Sequence, residues 1–507
     1  MAIDRSDDPK RIVVVGGGIA GLAAAYRLHE RHQGEQSPYK VLLLEAAARP
    51  GGVIGTTYRD DFVLESGPDT LFTDKPWAVD LIRRLGLSDR LIGTSGIHRR
   101  TFVALGNALH PLPEGFALLA PTRLLPFAQS RLLTWPGKAR MAMDLVLPRG
   151  GQAGTDESLA SFVRRRLGTE ALQRLAQPMI GGIYSADPER LSLQATFPQL
   201  LQMEVQHRSL ILGLRRRKVN VPGKGQAQTD SGPRYSLFAT LDHGLQTLVD
   251  ALVGRLPADM VRLNCPVAGI AQNGQCWTVR LKDGTNLDAY GVVLAVPAFQ
   301  AAALTRELDN DLTRELEAIP YASSVTVNLA YRREAIPHPL DGFGFVVPAC
   351  EGRTIIACSF SSVKFANRAP AGHALLRAFA GGALQPESFE WDDERLLAAV
   401  RHDLKELLGI EPAPLWHQLV RHPRSMPQYH VGHLARLATM EHQLGRWPTL
   451  KLAGNAYRGV GVPDVIRSGE AAADALLAAL TPAQEEGHAT ATRVEPARAC
   501  AEGDSLL

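Results

Sequence analysis

The run RIVVV, in which positions 12–15 are all β-branched, is apolar without alternation. Such a run predicts a strand buried on both faces, as in a parallel sheet. Leu22, Ala25, Tyr26 and Leu28 then follow helical spacing, and VLLLE, ending in Glu45, predicts a second strand. Strand, helix, strand is the βαβ unit of an α/β domain. TDESLASFVRRRLG predicts a helix with Leu159, Phe162, Val163 and Leu167 on one face, Thr155 or Asp156 as cap and Gly168 at its end. GNAL (106–109) suggests a hairpin, and PVAGIAQNGQCWTVRLKDG a β-meander with Asp-Gly at a hairpin tip. GVVLAVPA (291–298) is another buried strand, stopped by Pro297. A helix ends in LTRELEAIP, and a strand alternating at Val325, Val327 and Leu329 follows. Residues 215–234 read as a polar loop, and 483–507 as a small, polar, disordered tail.

The chain has 507 residues, 45% hydrophobic, enough for two or three domains with substantial cores. A net charge of +3 leaves no large nucleic-acid footprint. The five cysteines show no CxxC pair, and His430 and His433 have no third metal ligand at usable spacing, so no metal site is predicted. MAIDRSDDPK lacks the apolar core of a signal peptide, and no apolar run approaches the roughly 20 residues of a membrane span. A cytoplasmic enzyme is the expectation. Residues 115–143 carry basic and apolar side chains with no acid, which suits a peripheral membrane contact, an acidic ligand or an ordinary helical core equally.

The chemistry is expected at the glycines. Gly16, Gly18 and Gly21, with Ile19 and Ala20 between them, form G-x-G-x-x-G between the first strand and the helix. That pattern lets backbone approach a pyrophosphate at a helix N-terminus. Glu45 lies 24 residues after Gly21, against about 20 in the usual dinucleotide fingerprint, and would accept from ribose hydroxyls. Arg49, Gly51 and Gly52 extend the site further across the sheet, which suits FAD better than NAD. A second glycine loop, GNAYRGVGVPDVIRSGE, opens at Gly454 and leads through a cap-like Asp464 into a helix.

EAAARPGG, IGGIYSADPERLSLQATFPQL, GFGFVVP, PQYHVGH and GNAYRGVGVPDVIRSGE together resemble the oxygen-dependent protoporphyrinogen oxidase family. That family includes the coproporphyrin-forming oxidases and belongs to the flavin amine oxidase superfamily. The resemblance implies a Rossmann-like α/β FAD-binding domain (10–90, 235–300, 445–482) and a mixed-sheet substrate domain (91–114, 301–444). A helical subdomain (115–214) would complete it. One non-covalent FAD is implied, with Val267 and the backbone of Gly459, Val460, Gly461 and Val462 added to its site and the last helix aimed at the flavin. The substrate would be a porphyrinogen, aromatised in three hydride transfers to flavin N5 without a protein acid or base, with O2 reduced to H2O2. Phe343, Gly344 and Val346 are implied on one side of the slot, Phe379 on the other, and Arg99 or Arg100 at a propionate. A homodimer would fit the family. His422 stands where many relatives have tryptophan.

Two other readings remain at this point. An amine oxidase or carotenoid desaturase of the superfamily would share the cofactor loops; Lys364 is the candidate amine-oxidase lysine, in a polar setting that suggests exposure. A non-catalytic protein on the same fold would not need both loops intact.

Overall fold

The computed structural model describes residues 10–31, 39–96, 100–114, 116–117, 119–121, 123–150, 155–219 and 237–481. β1 (Lys10–Val15), α1 (Ile19–Arg31) and β2 (Tyr39–Leu44) form the expected βαβ unit. They lie in a five-stranded parallel sheet ordered Val261–Arg262, β2, β1, Gly291–Leu294, Leu450–Leu452. Both faces are covered, which explains the unbroken apolar run. Ile12 and Val14 face a core shared with α1 and the C-terminal helix (Val462–Leu480), while Val13 and Val15 face a second core on the other side.

α1 and the C-terminal helix touch backbone to backbone. A Cβ on Gly469 would lie 2.1 Å from the Ala20 carbonyl oxygen, so only glycine permits this approach. At the outer end Arg27 closes the pair with two 3.0 Å bonds to Asp474.

A seven-stranded sheet makes the second layer, in the order Trp416–Pro427, Tyr321–Arg332, His373–Gly381, Ala357–Phe360, Gly344–Val346, Thr101–Leu105, Ala108–Pro111. One face packs Val325, Val327, Leu329, Phe345, Leu376 and Ala378 with Leu396, Val400 and Leu404 of the helix Asp393–Leu408. The hairpin at Gly106 and the meander turning at Gly284 form as expected.

Several boundaries move. The helices Ala298–Thr305, Asn310–Glu317 and His433–Leu444 bury Ala301, Leu304, Leu312, Leu316, Leu437 and Met440 against the parallel sheet, so they belong to the first domain. The strand Leu91–Gly93 pairs with Phe238–Leu241 and belongs there too. The helix Leu210–Val219 runs past the expected loop start at 215; residues 220–236 and 482–507 lie outside the described residues. Ser158, not Thr155 or Asp156, caps Leu159–Arg166: its side chain accepts from the Ser161 N–H, since only the residue next to the first turn can reach that donor.

Gly469→Ala is expected to force the two helices apart, at about 1–3 kcal/mol. A lower melting temperature would show it; an unchanged one would mean the contact is not tight.

Candidate cofactor and substrate site

Gly16 ends β1 at φ +104°, where a Cβ would lie 2.5 Å from the Ala295 carbonyl oxygen. A Cβ on Gly21 would lie 1.8 Å from the Gly16 carbonyl oxygen, so the turn and the first helical turn are in backbone contact. α1 begins at Ile19, with Ile19 and Ala20 in its first turn. Glu45 closes this turn from β2. Its carboxylate accepts from the Gly17 N–H at 2.6 Å and from the Ala47 N–H at 2.7 Å. Gly51 donates to the Gly17 carbonyl, pairing the Gly51–Gly52 turn with Gly18, and a Cβ on Gly52 would lie 3.3 Å from Gly18 Cα.

The Arg49 side chain turns back on its own loop. Its guanidinium bonds the carbonyls of Pro50, Gly52 and Ile54, so it shapes the loop that carries Gly51 and Gly52. Val267 begins the meander two residues beyond Cys265, whose N–H donates to the Glu45 carbonyl.

The closing loop arrives from the other end of the chain. Ala453 donates to the Leu294 carbonyl, and Gly454 to the Ser468 hydroxyl. The C-terminal helix starts at Val462, with Gly461 as N-cap; Asp464 is therefore its third residue and not the cap. The N–H groups of Val460 and Gly461 find no acceptor among the described residues. Unpaired N–H groups at a helix N-terminus fit the electron-rich edge of a flavin.

The PQYHVGH segment holds this loop. The Tyr429 hydroxyl donates to the Asn455 carbonyl and accepts from the Gly459 N–H at 2.8 Å. Its ring stacks on His433 at 4.1 Å, and His433 Nε2 meets the Tyr457 carbonyl at 2.9 Å. Burial pushes the His433 imidazole below its ordinary pKa, and Nε2, which faces a carbonyl oxygen, is the donor. His433 is thus a satisfied interior histidine.

A family model of flavin-containing amine oxidoreductases matches residues 19–477. The chain belongs to that family. It is 36% identical to coproporphyrinogen III oxidase of Bacillus subtilis, over 93% of this chain and 99% of that one. The enzyme of the same name from Propionibacterium freudenreichii is 37% identical, over 96% and 94%. A crystal structure of an Exiguobacterium sp. 255-15 protein superposes with a TM-score of 0.81 at 31% identity, covering 92% of this chain and 99% of that one. FAD is therefore the cofactor, and the two glycine loops fit its two ends.

In this flavoprotein the candidate slot residues share one wall. Val346 pairs with Ala357, and Ala357 with Phe379, so the three form one cross-strand row. Phe379 therefore does not oppose Val346 as expected. The helix Gln177–Tyr184 packs directly on this row: a Cβ on Gly182 would lie 3.6 Å from Val346 Cγ1 and 3.9 Å from Ala357 Cβ. Gly344 lies on the same strand, two residues from Val346, and Phe345 points into the opposite core. Phe343 precedes the strand, its N–H bonded to the Arg100 carbonyl. The Arg100 side chain is 64% exposed and pairs with Asp341, which places it at a rim. Arg99 lies outside the described residues.

Beside this wall lies a charged cluster that sequence reasoning missed. Arg377, two residues before Phe379 and stacked on it, pairs with Asp69, as does Lys364 at 3.2 Å. Lys364 also donates to Thr70, so it is paired and largely buried, not exposed. Burial opposes the Asp69 charge, but Lys364 and Arg377 overcome it and hold the carboxyl well below its usual range. Burial likewise pushes His422 down, and its Nε2 meets the Ser66 carbonyl at 2.9 Å. Arg377 binds the Gly67 carbonyl. His422 thus ties the seven-stranded sheet to the turn after Glu65.

Both Glu45→Ala and Tyr429→Phe are expected to weaken FAD retention about tenfold, because each leaves backbone groups unpaired. Equilibrium dialysis of FAD against each variant measures this; wild-type affinity in either would remove that residue from the site.

Proposed function

We propose that the chain oxidises coproporphyrinogen III to coproporphyrin III in haem biosynthesis. Six hydrogens leave the macrocycle, and three O2 accept them as three H2O2. The observation that carries the reading is the apolar row Val346–Ala357–Phe379 on the side of the closing loop: Val460 and Val346 pack against one core. A flat, apolar ring system suits such a row, which carries no ionisable side chain. The names of the two bacterial relatives favour coproporphyrinogen over protoporphyrinogen.

FAD supplies a two-electron acceptor for each of three successive oxidations. The chain's own work is binding and exclusion of water. Glu45 and the Gly16–Gly21 turn hold the dinucleotide end, the loop 454–462 holds the ring end non-covalently, and the slot walls orient the macrocycle. The amine-oxidase alternative loses support, because the Lys364 ammonium is engaged by Asp69 and Thr70.

Coproporphyrinogen has two propionates more than protoporphyrinogen, and each charge-assisted contact contributes about 1.5–3 kcal/mol. We expect kcat/KM for coproporphyrinogen III to exceed that for protoporphyrinogen IX at least about tenfold. Equal or reversed values would overturn the choice of macrocycle, and no porphyrin from either would overturn the activity. Arg100 is exposed and already paired, so Arg100→Ala should raise KM by less than about fivefold.

The helical subdomain also supports a peripheral contact with the cytoplasmic membrane face. Leu125, Trp135 and Val146 are 70% or more exposed, and a hollow of about 590 Å³ is lined by Leu125, Arg131, Trp135 and Lys138. No helix among the described residues is long and apolar enough to cross a membrane. Aromatic and basic side chains together suit an anionic lipid surface. The protein should float with anionic vesicles at low salt and be released at high salt, and Trp135→Glu should abolish flotation. Full recovery in the soluble fraction at low salt would exclude the contact.

A further inference from the structure

The first turn of the C-terminal helix carries one carboxylate, Asp464, only 9% exposed. A bare carboxylate there would oppose negative charge on any ligand at the helix end. It is not bare. Lys75, 389 positions away in the chain, donates to both of its oxygens, at 2.7 and 2.6 Å. Two glycines make room for the arrangement. A Cβ on Gly459 would lie 2.5 Å from Asp464 Cβ and Cγ, and one on Gly461 would lie 3.2 Å from Oδ2. The carboxylate is therefore folded back into the turn whose Val460 and Gly461 N–H groups are unpaired.

Its charge is felt at two tyrosine hydroxyls. Tyr184, at the end of the helix Gln177–Tyr184, has its hydroxyl pushed up to about 12, by burial first and by the Asp464 charge second. The Tyr429 hydroxyl that holds the loop also feels that charge.

We propose that Lys75 is a positioning residue for electron uptake: by neutralising Asp464 it preserves the positive end of the C-terminal helix for the flavin. This rests on the placement of the flavin ring at that helix end, proposed above. Reduction adds negative charge to the ring, so an unpaired carboxylate beside it makes reduction harder, and an unpaired lysine makes it easier. A purely structural ion pair would behave differently, since breaking it from either side would loosen the same loop.

Sulfite is the probe. It adds to oxidised flavin, leaves the ring with negative charge and bleaches its visible absorbance, so its Kd reports the electron affinity of the bound flavin without any porphyrinogen. With the FAD-loaded protein at saturating FAD, Lys75→Met should weaken sulfite binding roughly tenfold and Asp464→Asn should tighten it by a similar factor. Lys75→Arg should match wild type, and the double variant Lys75→Met/Asp464→Asn should lie within about threefold of it. Gly461→Pro is the control for placement. Gly461 has φ −71°, which proline adopts, so the change removes the N–H; because it also adds a Cβ 3.2 Å from Asp464 Oδ2, it is read against Gly461→Ala, which adds the Cβ and keeps the N–H. Weaker sulfite binding in Gly461→Pro with no opposed shifts at Lys75 and Asp464 would overturn the inference alone. An unchanged Gly461→Pro would overturn the placement beneath it. If Lys75→Met does not hold FAD, Asp464→Asn decides the sign: unchanged or weaker sulfite binding there overturns the proposal.

Discussion

The contact between the Gly469 backbone and the Ala20 carbonyl brings the two ends of the chain together. α1 starts at the first glycine turn, and the C-terminal helix starts at the last. Because the helices are locked side by side, their N-termini are held at a set separation. On the proposed reading FAD would have its phosphates at one helix end and its ring at the other, with Glu45 and Arg49 shaping the loops between. This answers why one chain carries two glycine-rich loops.

The second requirement is that the seven-stranded sheet keep its place relative to those loops. Two kinds of interaction do so. Tyr429 and His433 are aromatic, stacked and hydrogen-bonded to carbonyls of the closing loop, so they hold it by shape. Arg377, Lys364 and Asp69 hold the turn after Glu65 by charge. Buried ion clusters add little net stability against an apolar replacement, but losing one partner leaves a bare buried charge and costs several kcal/mol. The cluster therefore discriminates against displaced arrangements of the two domains more than it stabilises the right one.

Local features were legible in the sequence because their causes are local. The β-branched run of β1 and the Asp-Gly hairpin turn follow from nearest neighbours. The glycine loops were legible because backbone approach leaves no alternative residue. The missed boundaries have a different cause. Ala301, Leu312 and Leu437 lie on amphipathic helices that would suit either sheet, and only the tertiary arrangement selects the parallel one. The same holds for the wall formed by Val346 and Phe379, whose side depends on the register through Ala357, 11 residues after Val346 and 22 before Phe379.

Charged residues were the hardest to read, because a sequence does not show which partner arrives. Lys364 looked exposed in a polar stretch, yet Asp69, 295 positions earlier, buries it. Asp464 looked like a cap, since Asp before a helix usually accepts its first N–H. Gly461 took that position, and the displaced carboxylate turned to Lys75. The difference matters chemically. A capping Asp464 would take one of the helix N–H groups for itself. As the helix's third residue, paired with a lysine, it stands beside Val460 and Gly461, whose N–H groups are unpaired among the described residues, as the proposed contact with a flavin edge would use them.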